Sequence, residues 1–350
     1  MGSFKPLAYS YQPPNSLQPK PLIAFLKKMI PIRDINPSRN FPVVNTALIG
    51  INVVVFLLQM SLGNEMNRFV YTYGLVPARY SVSHVSAYFT PFQQVFSFIS
   101  FMFLHGGFLH LLGNMWSLYI FGDNVEDRLG PLRYLLFYLL CGLASGLSHL
   151  FLNMNSTIPT IGASGAISGV MGAYLILHPR SKVLTLIPIL IFPWFVEIPA
   201  FFFIGFWFVL QLLNAAGSHG GGAGIAWWAH IGGFVFGILF LKMALKMPST
   251  GVSNKISPMT ARKKTSRLQV IRPGGPANDP NLYGTLVISP FEARRGSRKL
   301  VNIPWGFQKR LINVTVPPGI QEGKHLKLKA LGKLTPTGDR GDLFLRVTIK

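Results

Sequence analysis

Cysteine is almost missing from this 350-residue chain. The single Cys141 lies inside an apolar run, so neither a disulfide framework nor a thiolate metal centre is available. Acidic residues are few as well: 11 Asp and Glu stand against 33 Lys and Arg, and charged residues of all kinds make up only 13%. Charge is missing altogether from 153–163 and 217–225. The N-terminus lacks an apolar stretch followed by a small-residue cleavage site, so no signal peptide is expected there. What the chain has instead is hydrophobic residues, 49% of the total, concentrated between Val44 and Ala244. That concentration is the pattern of a polytopic membrane domain.

The net charge of +22 sits at the two ends. Residues 1–43 hold six Lys/Arg against one acid, and 251–350 hold nineteen against five. Basic tails flanking membrane spans face the anionic cytoplasmic leaflet, so the lipid bilayer is the expected partner and nucleic acid is not. Six spans are expected at roughly 44–61, 104–121, 132–152, 164–179, 199–216 and 226–245. The tail, the 122–131 loop, the 178–183 turn and the region after Lys242 carry nearly all the Lys/Arg. The opposite loops carry only Arg68 and Arg79, which puts both termini in the cytoplasm.

The domain division expected is therefore a basic, poorly ordered tail at 1–43, a six-span domain at 44–245, a linker at 246–280 and a soluble all-β domain at 281–350. The half-apolar loop 62–103 is expected in the membrane interface, and Gly217–Gly224 as a flexible cap. The β expectation rests on alternating stretches such as Gly284–Ser289 and Leu343–Ile349.

One short stretch suggests chemistry: Gly162-Ala163-Ser164-Gly165, followed by Ala166-Ile167-Ser168-Gly169 at the head of an apolar run. A serine at a helix N-terminus can be a cap, and glycines can be packing notches. The same position also favours an anion, which suits a nucleophile whose attack creates an oxyanion. With the orientation above, spans 2, 4 and 6 begin at similar depth. Ser164, His230, His110 and Asn114 then fall together in the outer part of the bilayer, where ionisable residues are costly and functional by default.

His230, Gly233 and Gly237 share one helical face, and Gly165, Ser168, Gly169 and Gly172 form a small surface to receive it. If these pack, His230 can act as general base to Ser164, while His110 and Asn114 donate with the Ser164 N–H to an oxyanion. No carboxylate lies at this depth, so a Ser–His dyad is expected. His105 is expected to make a structural hydrogen bond, and Glu126 with Arg128 a structural ion pair. His84, His149, His178, His219 and His325 are expected to be incidental. The soluble G-x-S-x-G elbow does not fit, because Ala166 stands at its second glycine, and no metal or cofactor site is expected.

At these residues the chain resembles the rhomboid family of intramembrane serine proteases. The resemblance is carried by His105-Gly-Gly-Phe-Leu-His110 with Asn114, Phe121-Gly-Asp-Asn-Val-Glu-Asp-Arg-Leu-Gly130, Gly162-Ala-Ser-Gly165, and Ala229-His230 with Gly233 and Gly237. It implies a six-helix bundle with Ser164 as nucleophile, His230 as base and His110 with Asn114 around the oxyanion. It also implies transmembrane protein substrates cut near the outer face. Some members carry an aromatic residue four positions after the nucleophile, where this chain has Ser168, so His230 would lack a stacking partner. A Trp-Arg pair of the first loop is missing too.

Residues 281–350 resemble one β-subdomain of the substrate-binding region of DnaJ-type co-chaperones, through Leu282-Tyr-Gly-Thr-Leu286, Val316-Pro-Pro-Gly319, Gly323-Lys-His-Leu-Lys-Leu328 and Gly341-Asp-Leu-Phe-Leu-Arg346. That implies binding of unfolded peptide or a chaperone partner. No His-Pro-Asp motif or zinc repeat accompanies it. The function expected is intramembrane serine endopeptidase, located in a bacterial inner membrane. The competing expectation is a silent rhomboid-like protein that binds membrane clients.

Overall fold

The structure is a computed structural model, and it describes residues 30–36, 38, 40–189, 192–217, 226–247, 265, 268–276, 278–305, 308–335 and 338–350. Six helices follow the expected apolar runs, five of them within two residues at either end; the second begins four residues late and runs on through most of the stretch expected to be the 122–131 loop. They are α1 (Val43–Ser61), α4 (Phe108–Leu129), α5 (Pro131–Leu152), α6 (Ser164–Leu177), α7 (Ala200–Gly217) and α8 (Trp227–Lys246), with the shorter α2 (Met66–Tyr73) and α3 (Pro91–Ser100) between the first two. Four of them, α1, α5, α7 and α8, are long and apolar enough to cross a membrane. The helix α4 carries four charged residues between Asp123 and Arg128. A bend of 76° separates it from Pro91–Phe103, and the two make a fifth span only if taken together. The helix α6 has 14 residues. The protein is thus a polytopic helical membrane protein in which four or five of the six expected spans meet that measure.

The helices pack around α6, which touches α4, α5, α7 and α8. Ten of its residues are buried, from Gly165 to Tyr174. Between α4 and α5 the chain turns at Gly130, whose φ of +80° is a left-handed value that glycine adopts without strain. Pro131 then opens α5 at the position where a missing N–H costs nothing.

Three expectations change. The 62–103 segment is a folded helical unit rather than a loop. It closes around Arg79, which is fully buried: its guanidinium donates to the carbonyls of Tyr71 (2.7 Å), Thr72 (3.1 Å) and Gln93 (3.2 Å) and lies over the Phe89 ring. Those carbonyls satisfy a charge that apolar neighbours alone could not. Part of the stretch expected to be a poorly ordered tail is also structured, at 30–36, 38 and 40–43, while 1–29 lie outside the described residues. The strand β1 (Ile30–Asp34) pairs antiparallel with β2 (Lys182–Ile189), which pairs antiparallel with β3 (Phe192–Pro199). This sheet, unforeseen in the sequence, fills the connection between α6 and α7.

The third change concerns Glu126. It makes no ion pair with Arg128 among the described residues, and Arg128 is exposed. Two residues apart on a helix, the side chains point to different sides. The Glu126 carboxylate instead accepts from the N–H groups of Val44 (3.0 Å) and Asn45 (2.7 Å), at the N-terminus of α1, where anionic charge is favoured.

The described residues of the tail form β-strands and one short helix, α9 (Pro290–Arg295). Two three-stranded sheets share one apolar core: β4 (Leu268–Val270), β6 (Ser297–Trp305) and β7 (Gln308–Val316) in one, and β5 (Leu282–Ile288), β9 (Leu343–Ile349) and β8 (His325–Leu328) in the other. Because β4 belongs to this unit, it begins inside the stretch expected to be linker.

Candidate active site

The helix α6 begins at Ser164, and the two residues before it decide what can approach. Gly162 has φ +124°, which side chains rarely tolerate, and a Cβ there would stand 2.8 Å from His110 Nε2. Its N–H donates to the Phe101 carbonyl (2.8 Å), while Leu75 and Thr160 exchange two backbone hydrogen bonds. The 153–163 connection is therefore held against the folded 62–103 unit and the head of α4.

On the other side α6 meets α8 through glycines. A Cβ at Gly233 would run into the Gly165 carbonyl oxygen, and one at Gly237 into the backbone of Gly169; one at Gly172 would stand 2.7 Å from the Phe234 carbonyl oxygen. Gly165 and Gly169 also make room for Ser145 and Cys141 of α5. The two small faces expected from spacing are thus apposed, with the backbones in direct contact. This brings His230 Nε2 to 2.8 Å from Ser164 Oγ. Both residues remain partly exposed, which leaves the pair accessible.

The other imidazole nitrogen has a partner that sequence reasoning missed. His230 Nδ1 lies 2.8 Å from Oε1 of Gln211, a buried residue of α7. The Gln211 Nε2 donates toward the Trp207 carbonyl (3.4 Å), which orients its oxygen to the histidine. An amide oxygen only accepts, so Nδ1 carries the proton and Nε2 presents its lone pair to the serine hydroxyl. A lone glutamine within the apolar run Ala200–Gly217 was the signal that could have found it.

His110 and Asn114 lie beside Gly162. Gly106 N–H donates to His110 Nδ1 (3.3 Å), so the Nε2–H of His110 is the donor that faces Gly162. Asn114 Nδ2 is 3.0 Å from His105 Nε2. His105 is itself fully buried and clamped by Gln59 of α1, which takes its N–H (3.0 Å) and donates to its carbonyl (3.1 Å). His105, held in this way, is in turn the hydrogen-bond partner of Asn114.

Ser168 does not face the histidine; its hydroxyl donates to the Ser164 carbonyl (2.6 Å). The missing aromatic neighbour is supplied from elsewhere. Trp207 of α7 and Trp227 of α8 flank His230, with ring centroids at 6.1 and 6.2 Å. Of the remaining histidines, His178 meets Asn36 (3.0 Å) and His149 meets Asn153 (3.4 Å), while His219 lies outside the described residues. No group of three or more His, Cys, Asp or Glu suited to a metal ion occurs among the described residues.

Fold and site together define a polytopic helical membrane protein whose interior holds a hydrogen-bonded serine–histidine pair. Comparison with known proteins points the same way: residues 92–247 match the Rhomboid domain family model. The chain is 31% identical over 199 residues to Rhomboid protein 1, mitochondrial, of Saccharomyces cerevisiae, covering 55% of this chain and 51% of that protein. It is 33% identical over 158 residues to RHOMBOID-like protein 6, mitochondrial, of Arabidopsis thaliana (44% and 45%) and 32% identical over 154 residues to Rhomboid protease GluP of Bacillus subtilis (43% and 26%). The chain spans about half or less of the length of these relatives. The family match ends at residue 247 and does not include the β tail. Since two of these relatives are mitochondrial, similarity supports a membrane location without singling out a bacterial one.

Proposed function

We propose that the chain is a rhomboid-type intramembrane serine endopeptidase acting on transmembrane segments of other proteins. The observation that carries this reading is the 2.8 Å contact between Ser164 Oγ and His230 Nε2 inside the helical bundle. In this reading all six long helices are spans. At 1.5 Å per residue the 14-residue α6 is about 21 Å long, shorter than a hydrocarbon core of about 30 Å. Its N-terminus, with Ser164, then lies below the outer surface, within reach of both a membrane-embedded peptide bond and water.

His230 Nε2 takes the Ser164 proton as Oγ attacks the scissile carbonyl carbon, and the carbonyl oxygen becomes an oxyanion. The Ser164 N–H at the start of α6, the His110 Nε2–H and the Asn114 amide are the donors for it, one such donor being worth about 3 to 4 kcal/mol. The imidazolium then protonates the leaving amine, which departs and leaves an acyl-serine. Water, deprotonated by the same nitrogen, releases the acid. The tail is read as a cytoplasmic module that binds peptide or a partner, a role supported by its DnaJ-like segments in sequence.

Cleavage of a reporter transmembrane segment in liposomes by the wild type, Ser164→Ala and His230→Ala tests the activity. Loss in both variants, with unfolding unchanged, is the expected result. Survival of cleavage in Ser164→Ala would remove the dyad. A wild type inactive on several reporters would favour a client-binding protein instead.

A further inference from the structure

Gln211 stands outside the pair that the sequence points to. It is 5% exposed, on a helix whose 18 residues include no ionisable side chain, and its amide oxygen is 2.8 Å from His230 Nδ1. An uncharged amide buried in a membrane helix has to satisfy its hydrogen bonds within the protein. Gln211 satisfies both ends, through His230 and through the Trp207 carbonyl one turn earlier. Trp207 then stands beside the imidazole that Gln211 holds, so one face of α7 supplies both a wall and an acceptor.

We propose that Gln211 is a positioning residue for the Ser164–His230 pair. Its oxygen holds the Nδ1 proton, which fixes the tautomer and ring orientation in which Nε2 accepts from Ser164. The arrangement does with a neutral acceptor what soluble triads do with a carboxylate. A neutral acceptor avoids burying a negative charge at membrane depth. It also forgoes a carboxylate's stabilisation of the imidazolium, so the pair gains orientation without gaining basicity. The inference rests on the proteolytic reading of the site and adds a third residue to it.

The test uses the full-length protein in liposomes, with Gln211→Leu, Gln211→Met and Gln211→Glu, the last of which restores an acceptor. Reporter cleavage is followed as kcat and KM against pH. Ser164 reactivity is followed by the rate of labelling with a fluorophosphonate, and folding by thermal unfolding. Gln211→Leu and Gln211→Met are expected to lower kcat and labelling about tenfold or more, the scale of one lost hydrogen bond, with KM unchanged. Gln211→Glu is expected to keep labelling near the wild-type rate and to move the acidic limb of the kcat profile to higher pH. His110 and His149 are the other titratable groups near His230 and stay constant across the series.

Wild-type kcat and labelling in folded Gln211→Met would overturn the proposal. So would a Gln211→Glu variant that is folded yet as impaired as Gln211→Leu, with an unmoved limb, because that pattern reports packing alone. Ser164→Ala and His230→Ala run alongside. If cleavage persisted in those, the proteolytic reading would fail irrespective of Gln211; if it vanished in them while Gln211→Met stayed fully active, the positioning role alone would fail.

Discussion

Replacing Gly237 by alanine tests whether the backbone contact between α6 and α8 sets the distance within the serine–histidine pair. A Cβ built on Gly237 stands 2.7 Å from the Gly169 carbonyl carbon and closer still to its Cα and oxygen. These are backbone atoms of the nucleophile's own helix, so no rotamer change relieves the clash. Ordinary carbon contacts need about 3.5 to 4.0 Å, so the helices must separate locally by about 1 Å. That separation acts two turns below His230 and lengthens its 2.8 Å contact with Ser164. A misplacement of about 1 Å can cost roughly 100-fold in rate, whereas overpacking by one methyl typically costs about 1 to 3 kcal/mol of stability. The expected result is therefore a folded but nearly inactive protein. Gly205→Ala in α7 is the control, because nothing lies within 4 Å of its added methyl. It should keep full activity and match or exceed wild-type stability. Both variants would be assayed for reporter cleavage in liposomes and for thermal unfolding. Full activity in Gly237→Ala would refute the claim that this glycine contact sets the geometry.

Two further outcomes concern the end of the bundle far from the serine–histidine pair. Glu126→Ala removes the acceptor for two N–H groups at the start of α1 and should lower stability by about 1 to 3 kcal/mol, read as a drop in unfolding temperature, whereas Arg128→Ala should change little. Asp34, in β1, accepts from Asn124 (2.7 Å) and Tyr174 (2.8 Å), and burial together with the neighbouring Asp123 pushes its carboxyl up to about 7. Since that value lies above the unfolded 3.8, the protonated form is favoured on folding, and stability falls as pH rises from about 4 to about 7 and is level above that. Asp34→Asn should abolish this trend, at up to about 1.4 kcal/mol per pH unit, in unfolding measured from pH 4 to 8; a constant offset between wild type and variant would refute it.

The helices were legible because lipid-facing and core-facing segments are both apolar, and runs of about 20 such residues mark themselves. Ser164, His230, His110 and Asn114 were legible because polar groups stand out against that background and because orientation puts the starts of alternate helices at one depth. The 182–199 strands were not, since a continuous apolar run carries no period that separates a buried strand from a helix. Nor was the folding of 62–103 around Arg79, whose partners are carbonyls present in every residue.

Read alone, the residues mark the six apolar helical runs, the glycine faces by which α6 and α8 meet, and the polar side chains Ser164, His230, His110 and Asn114. Which groups meet depends on how the helices pack: Gln211 with His230, His105 with Asn114, Glu126 with the start of α1, and Trp207 and Trp227 in place of an aromatic residue at 168. The reason is physical. Periodicity is a local property of one helix, whereas a hydrogen bond between helices depends on their crossing and rotation, set jointly by every side chain in the interface.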